Sequence, residues 1–363
     1  MALPPSPPNL TDALAVAARH HHEGRLRAAA AIYKDILREA PGHGEALHLL
    51  GLIAYQNGRP EQAVELIGKA LVADDSNAAY HDNIGLAYRA TGKIEEAVKH
   101  GRRAAALDRT NPGTQFNLAC ALDAAGRTDE AVSAYQRALA IVPNHAEAHN
   151  GIANAFMRLG RTEQAISHYR RALSIRAGYG EAHHNLAGAL ALQGQLEEAV
   201  NHYRAALAAD PAAADTQTAL GAILSRLGKT DDAIAVLEKA HAGKPNDADA
   251  LFFLSDALRR GGRTEEAASH YRKLVTMRPD LVDARCNLGN LLLETGAIAD
   301  ARAAYEAALA RRPALADALV GIGRCEEAEG REGSAADWYR KALDAAPGHP
   351  LASRLLTALS PRN

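Results

Sequence analysis

Apolar residues recur at helical spacing in short segments of this chain, and each segment is closed by a polar turn carrying glycine or proline. The whole arrangement returns every 34 residues. EEAVNHYRAALAADP (Glu197–Pro211) echoes EQAISHYRRALSIRA one period upstream and DEAVSAYQRALAIVP two periods upstream. A grid of this period meets glycine ten times, at Gly24, Gly58, Gly92, Gly126, Gly160, Gly194, Gly228, Gly262, Gly296 and Gly330. Five residues after each glycine stands an alanine, from Ala29 to Ala335. Seven residues before it stands a small residue, as at Ala17, Gly51, Gly85 and Gly323. Such self-similarity is read before any other feature, because it sets the whole architecture.

Each landmark has a physical task. The glycine follows an apolar-periodic segment and supplies the left-handed conformation that ends a first helix. Thr128, Thr162, Thr230 and Thr264 then stand where an N-cap is expected, and acidic residues such as Asp129, Glu130 and Glu265 favour the helix N-terminus that follows. The small residue and the alanine let two helices approach closely. A tyrosine four residues after the alanine (Tyr33, Tyr135, Tyr169, Tyr203, Tyr271, Tyr305, Tyr339) is expected to fill the space between copies. The second helix commonly meets proline, as at Pro41, Pro143 and Pro211, which cannot continue it.

Helix–turn–helix copies of 34 residues with these landmarks resemble tetratricopeptide repeats over residues 10–349. One hairpin cannot bury its own apolar face, so neighbours must stack. The resemblance implies an all-α fold, an α-solenoid of ten repeats wound as a right-handed superhelix with first helices on the concave side. The proline-rich Met1–Asn9 is expected to be disordered. Residues 350–363 are read as a capping helix and tail, because Leu351, Leu355, Leu356 and Leu359 share one side and Ser353, Arg354 and Thr357 the other.

Composition narrows the function. The 363 residues carry a formal net charge of −2, which argues against a general nucleic-acid binder. Cys120, Cys286 and Cys325 form no CxxC pair, pointing to a reducing, cytoplasmic setting. The start shows no signal peptide, and no apolar run has the roughly 18 residues needed to span a membrane. GAILSRLGKT, from Gly221, ends like a phosphate loop, but Ile223 stands where the leading glycine belongs, and the triplet falls in an inter-helix turn. His20, His21 and His22 point in different directions on a helix, and His145 precedes the helix that carries His149, so no metal site is read. His100, His168, His202 and His270 recur on second helices and read as a solvated outer stripe. No catalytic constellation and no cofactor fingerprint is present, so an enzyme is not expected.

Residues that vary within the repeat carry partner choice. Two before the small position stand Asn83, Asn117, Asn185 and Asn287, with Asn150, Asn154 and Asn290 close by. An asparagine amide donates to and accepts from a peptide group at once, so a spaced row can hold an extended backbone. The row resembles the asparagine ladder of O-GlcNAc transferase repeat regions, although asparagine here can equally bond the neighbouring helix. Phe116, Phe252, Phe253, Met157, Arg89, Arg158, Arg226, Arg259 and Arg260 lie beside it, and aromatic and arginine side chains dominate binding hot spots. The lysine of repeats that clamp Hsp70 or Hsp90 C-termini is absent. Leu14, His48, Asp82, Phe116, Asn150, His184, Thr218, Phe252, Cys286 and Val320 hold that position. The sequence thus points to a non-catalytic scaffold binding a peptide or protein. The alternative is the substrate-recruiting part of a larger transferase, which chains beginning like AIYKDILREAPGHGEALHLLGLIAYQNGR resemble.

Overall fold

A computed structural model describes residues 10–359. The expectations of a disordered Met1–Asn9 and of a tail after Leu359 fall outside them. Among the described residues the chain forms 21 α-helices and no strand. The first helices of repeats one to five are α1 (Leu10–His22), α3 (Gly44–Gln56), α5 (Ala78–Ala90), α7 (Pro112–Ala124) and α9 (Ala146–Arg158). Their second helices are α2 (Leu26–Glu39), α4 (Pro60–Ala73), α6 (Ile94–Leu107), α8 (Thr128–Ile141) and α10 (Thr162–Ile175). Repeats six to ten supply α11 (Gly180–Leu192) with α12 (Leu196–Ala209), α13 (Ala214–Arg226) with α14 (Thr230–Gly243), and α15 (Ala248–Arg260) with α16 (Thr264–Met277). They continue with α17 (Val282–Glu294) and α18 (Ile298–Leu309), then α19 (Ala316–Ala328) and α20 (Glu332–Ala345), and α21 (Pro350–Leu359) follows.

All ten grid glycines adopt φ between +71° and +79°. At Gly58 the amide bonds Tyr55 O at 2.9 Å and the next amide, of Arg59, reaches Ala54 O at 2.9 Å, closing α3 as a left-handed glycine permits. The threonine N-caps are not formed. Thr128, Thr162, Thr230 and Thr264 are the first residues inside their helices, and the cap positions belong to Arg127, Arg161, Lys229 and Arg263, whose side chains bond no helical amide. The glycine turn is one residue shorter than expected, so each helix starts at the threonine itself, and the hydroxyls of Thr128 and Thr264 turn back toward Gly126 O and Gly262 O. Genuine side-chain caps stand instead before first helices: Asn77, Asn111 and Asp247, and also the imidazoles of His43 and His145.

Two compact bodies, Met1–Ala189 and Leu190–Asn363, divide the chain, and each is described by itself. In the first, α2 packs on α3, α4 on α5, α6 on α7 and α8 on α9, and the first helices also meet one another, α3 with α5, α5 with α7 and α7 with α9. In the second, α13 meets α15 and α17 meets α19. Second helices make no comparable contact with each other among the described residues, so in both bodies the first helices form the crowded, inner layer. The core follows the landmarks: Ala29, Ala63, Ala97 and their equivalents are buried, as are Tyr33, Tyr271, Tyr305 and Tyr339. A Cβ on Gly51 would lie 2.6 Å from Ile67 and one on Gly323 2.4 Å from Tyr339, so these close approaches need glycine. Helix α21 lies on α20, with Ala352 buried and Leu351, Leu355, Leu356 and Leu359 half-buried against Leu319, Val320 and Tyr339.

Candidate functional site: a polar track on the first helices

The asparagines fall into two groups. In the first, each amide links a neighbouring first helix. Asn83 Nδ2 donates to His48 Nε2 at 2.7 Å, Asn117 Nδ2 to Asp82 Oδ2 at 3.0 Å, and Asn150 Nδ2 to Glu181 Oε1 at 2.9 Å. Asn185 Nδ2 reaches both Asn150 Oδ1 at 3.2 Å and Asn154 Oδ1 at 3.1 Å, which gathers these three residues into one cluster. In the second group, amides hold core tyrosines. Asn154 accepts from the Tyr169 hydroxyl at 2.5 Å, Asn290 accepts from Tyr305 at 2.7 Å, and Asn287 donates to the Tyr271 oxygen at 3.2 Å. Where the row is interrupted at Gly151 and Gly321, the tyrosine of the preceding repeat takes the space. A Cβ there would lie 2.6 Å from Tyr135 and 2.4 Å from Tyr305.

The flanking residues are likewise engaged. Arg158 pairs with Asp123 of the preceding first helix. Arg259 and Arg260 share Asp256 at 3.0 and 2.8 Å, and Arg260 also reaches Ser225 O at 3.4 Å. Phe116 stacks on His145 with ring centres 4.9 Å apart, and Phe252 lies edge-on to Phe253 at 5.6 Å. Arg89 has no ion-pair partner among the described residues.

Two groups on this track escaped the sequence reading. Asp82 accepts from Asn117 through Oδ2, while its Oδ1 is buried without a partner. Burial pushes its carboxyl pKa up, against the opposing pull of the Asn117 bond. An acid on a first-helix face beside the asparagine row was the available signal. His48 is 7% exposed, and burial, with the charge of His21 adding to it, brings its pKa down to about 4. Its Nε2 therefore keeps the lone pair that receives the Asn83 N–H.

The histidines of the second helices are not a solvated stripe. His100 is half-buried with its Nδ1 2.9 Å from His81 Nδ1, and His168 repeats the arrangement with His149 at 3.0 Å. The first-helix partner in each pair turns Nε2 to the carbonyl of Asp75 or Pro143, both at 3.1 Å. Its Nδ1 is then the acceptor, so His100 and His168 carry the shared proton on Nδ1. Burial lowers the pKa of His100, His149 and His168, and the charges of His81 and His149 add to the effect at His100 and His168. Pairing 19 residues apart is invisible to a helix-by-helix reading.

Tetratricopeptide-repeat family models match residues 116–180, 218–281 and 286–350 with one model, and 20–83, 75–144 and 188–228 with three others. The chain belongs to the tetratricopeptide repeat family. Repeats of this family are in general protein-interaction scaffolds, and in that general sense the chain is one. Two solved structures agree on the fold. The C-terminal part of a repeat-containing protein from Cytophaga hutchinsonii is 18% identical at a TM-score of 0.54, over 66% of this chain and 99% of that one. PilF of Pseudomonas aeruginosa is 20% identical at 0.51, over 59% of this chain and 97% of its own. MamA is 25% identical at 0.42, over 45% and 95% respectively. No curated protein matches. Among the described residues no helix is long and apolar enough to cross a membrane.

Proposed function

We propose that this protein is a non-catalytic scaffold that holds an extended segment of a partner protein along the first-helix face of repeats three to six. One observation carries the reading: Asp82 Oδ1 is a buried carboxylate oxygen without a donor, set within the asparagine track. Such an atom costs stability until an N–H meets it, and the main chain of an extended segment offers N–H groups at regular intervals. The asparagines support the same reading. Asn83, Asn117 and Asn150 each commit one N–H to a neighbour and keep a second, Asn185 spends both N–H groups on Asn150 and Asn154 and keeps its carbonyl, and Asn154 accepts through its carbonyl and keeps its N–H groups. Asn83, Asn117, Asn150, Asn154 and Asn185 are thus both fixed in place and able to bond further. In this reading Asn287 and Asn290 hold the corresponding place on the second body by itself, Phe116 and Phe252 are apolar anchors of their own bodies, and Arg89, Arg158, Arg259 and Arg260 select partners by charge.

The test is to cross-link the native partner in its host, identify the linked segment by mass spectrometry, and titrate that segment. Single changes such as Asn117→Ala should weaken binding several-fold, at about 1 kcal/mol each. Asn117→Ala, Asn150→Ala and Asn185→Ala together should nearly abolish it. Arg259→Glu with Arg260→Glu should change which segments bind. If the triple variant binds with unaltered affinity, or loses only thermal stability, the asparagines are structural links and the proposal fails.

A further inference from the structure

A different face of the first body carries an open cleft. Between the second helices α6 and α8 lies an open cleft of about 1040 Å³ whose floor is α7. Its walls include the short side chains of Ala105, Ala106 and Ala140. Ala134, buried on α8 beside the cleft, stands where repeats three and five place the paired histidines His100 and His168. Opposite Ala134, α7 carries Gln115 at the position of His81 and His149. Gln115 is 4% exposed, and its Oε1 is buried with no hydrogen-bond partner. A polar atom left in this way by the loss of its histidine partner calls for a donor from elsewhere.

The walls state what kind of donor. Arg102, Arg109 and Arg137 line the cleft, all exposed. Arg102 is tied to Glu130 at 2.6 Å, and Glu130 is also held by Arg127 at 2.8 Å, so that carboxylate is neutralised. Arg109 and Arg137 have no ion-pair partner among the described residues. The floor is apolar, with Leu118 and Leu122, and the lip is Ile141, 39% exposed. Two unpaired guanidinium groups over an aliphatic trough suit a carboxylate-bearing segment with an aliphatic anchor. No aromatic ring lines the cleft to stack a base, which disfavours single-stranded nucleic acid.

We infer that the α6–α8 cleft is a second docking site, for an acidic protein segment with an aliphatic anchor whose carboxylates meet Arg109 and Arg137. A main-chain N–H or C=O of the segment meets the Gln115 amide, which presents either of its ends by rotating about its terminal torsion. This site is on the opposite layer from the asparagine track and does not depend on it.

The experiment uses a random-peptide phage library. It is selected on the full chain and counter-selected on Ala106→Trp, where an indole on an exposed cleft position of α6 fills the trough. The enriched peptides should combine aspartate or glutamate with leucine, isoleucine or methionine. Synthesised and titrated, they should lose about tenfold or more in affinity on Arg109→Glu with Arg137→Glu, while Asn117→Ala leaves them unchanged. Both arginines are exposed, so the charge-reversed chain should keep its circular dichroism melting curve. The inference is overturned if counter-selection leaves no enriched peptide or if the enriched peptides lack acidic residues. It is equally overturned if they bind the charge-reversed chain as tightly as the natural one, or if a single-stranded oligonucleotide displaces them.

Discussion

Two alanine substitutions with identical chemistry should have opposite effects. Gly321 and Gly289 both close on the ring of Tyr305, which has no exposed surface and whose hydroxyl is held by Asn290. A Cβ on Gly321 would stand 2.4 Å from the ring, about an ångström inside contact distance, and Gly289, whose own Cβ would stand at 2.7 Å, blocks retreat. Overpacking of this kind costs about 1–3 kcal/mol, partly offset by about 1 kcal/mol from replacing a helical glycine. With the ring so close, Gly321→Ala should fall in the upper half of that net range of about 0–2 kcal/mol and destabilise. Gly85 holds the equivalent of Gly289 in repeat three, but there Gly101 replaces the tyrosine, and a new Cβ would meet nothing nearer than Ala97 O at 3.4 Å. Gly85→Ala should keep the propensity gain and stabilise by about 0.5–1 kcal/mol. Stacked repeats open locally, so hydrogen exchange read repeat by repeat is the suitable assay. Protection in α17–α20 should fall roughly tenfold for Gly321→Ala, and protection in α5–α6 should rise a few-fold for Gly85→Ala, at 1.4 kcal/mol per tenfold. Equal or reversed effects would show that tyrosine packing against glycine does not set local stability.

Acidification should loosen the first body before the second. His48 contributes stability that is present above its ordinary pKa of 6.5 and is lost as pH falls toward about 4. Its loss is on the order of 3 kcal/mol, with the lowered values of His100, His149 and His168 adding in the same direction, and thermal melts from pH 7 to 4 read by exchange in α3–α10 check it. Asp82→Asn removes a buried, half-partnered carboxylate, so the partner-free protein should gain about 1 kcal/mol while partner affinity falls; a loss of stability would mean Asp82 has a structural donor. Removing residues 350–363 uncovers Leu319, Val320 and Tyr339, so exchange protection in α19–α20 should drop while α13–α14 keeps its own, and uniform protection would make α21 dispensable.

Helix number, order and turns were legible in the chain because they depend on residues close together and repeat with the packing. Gly24 to Gly330 end helices through their own backbone freedom, and the buried alanine at Ala29 recurs in every copy as the tyrosine at Tyr33 does in seven. Even so, a local rule misplaced Thr128 and its fellows by one residue, since the length of a glycine turn depends on which amide closes it. That the asparagines could bond a neighbouring helix was legible, but which partner each one takes was not. Asn117 spends its amide on Asp82, 35 residues away, and Asn154 on Tyr169, and both choices depend on which side chain the adjacent helix presents. The His81–His100 pair and its unmatched counterpart at Gln115 and Ala134 are separated by 19 residues across a hairpin, so only the folded hairpin decides that one is a closed hydrogen bond and the other an open cleft. Periodic contacts are written in sequence because every copy must satisfy them, whereas the contacts that differ from copy to copy exist only once two helices have been brought face to face.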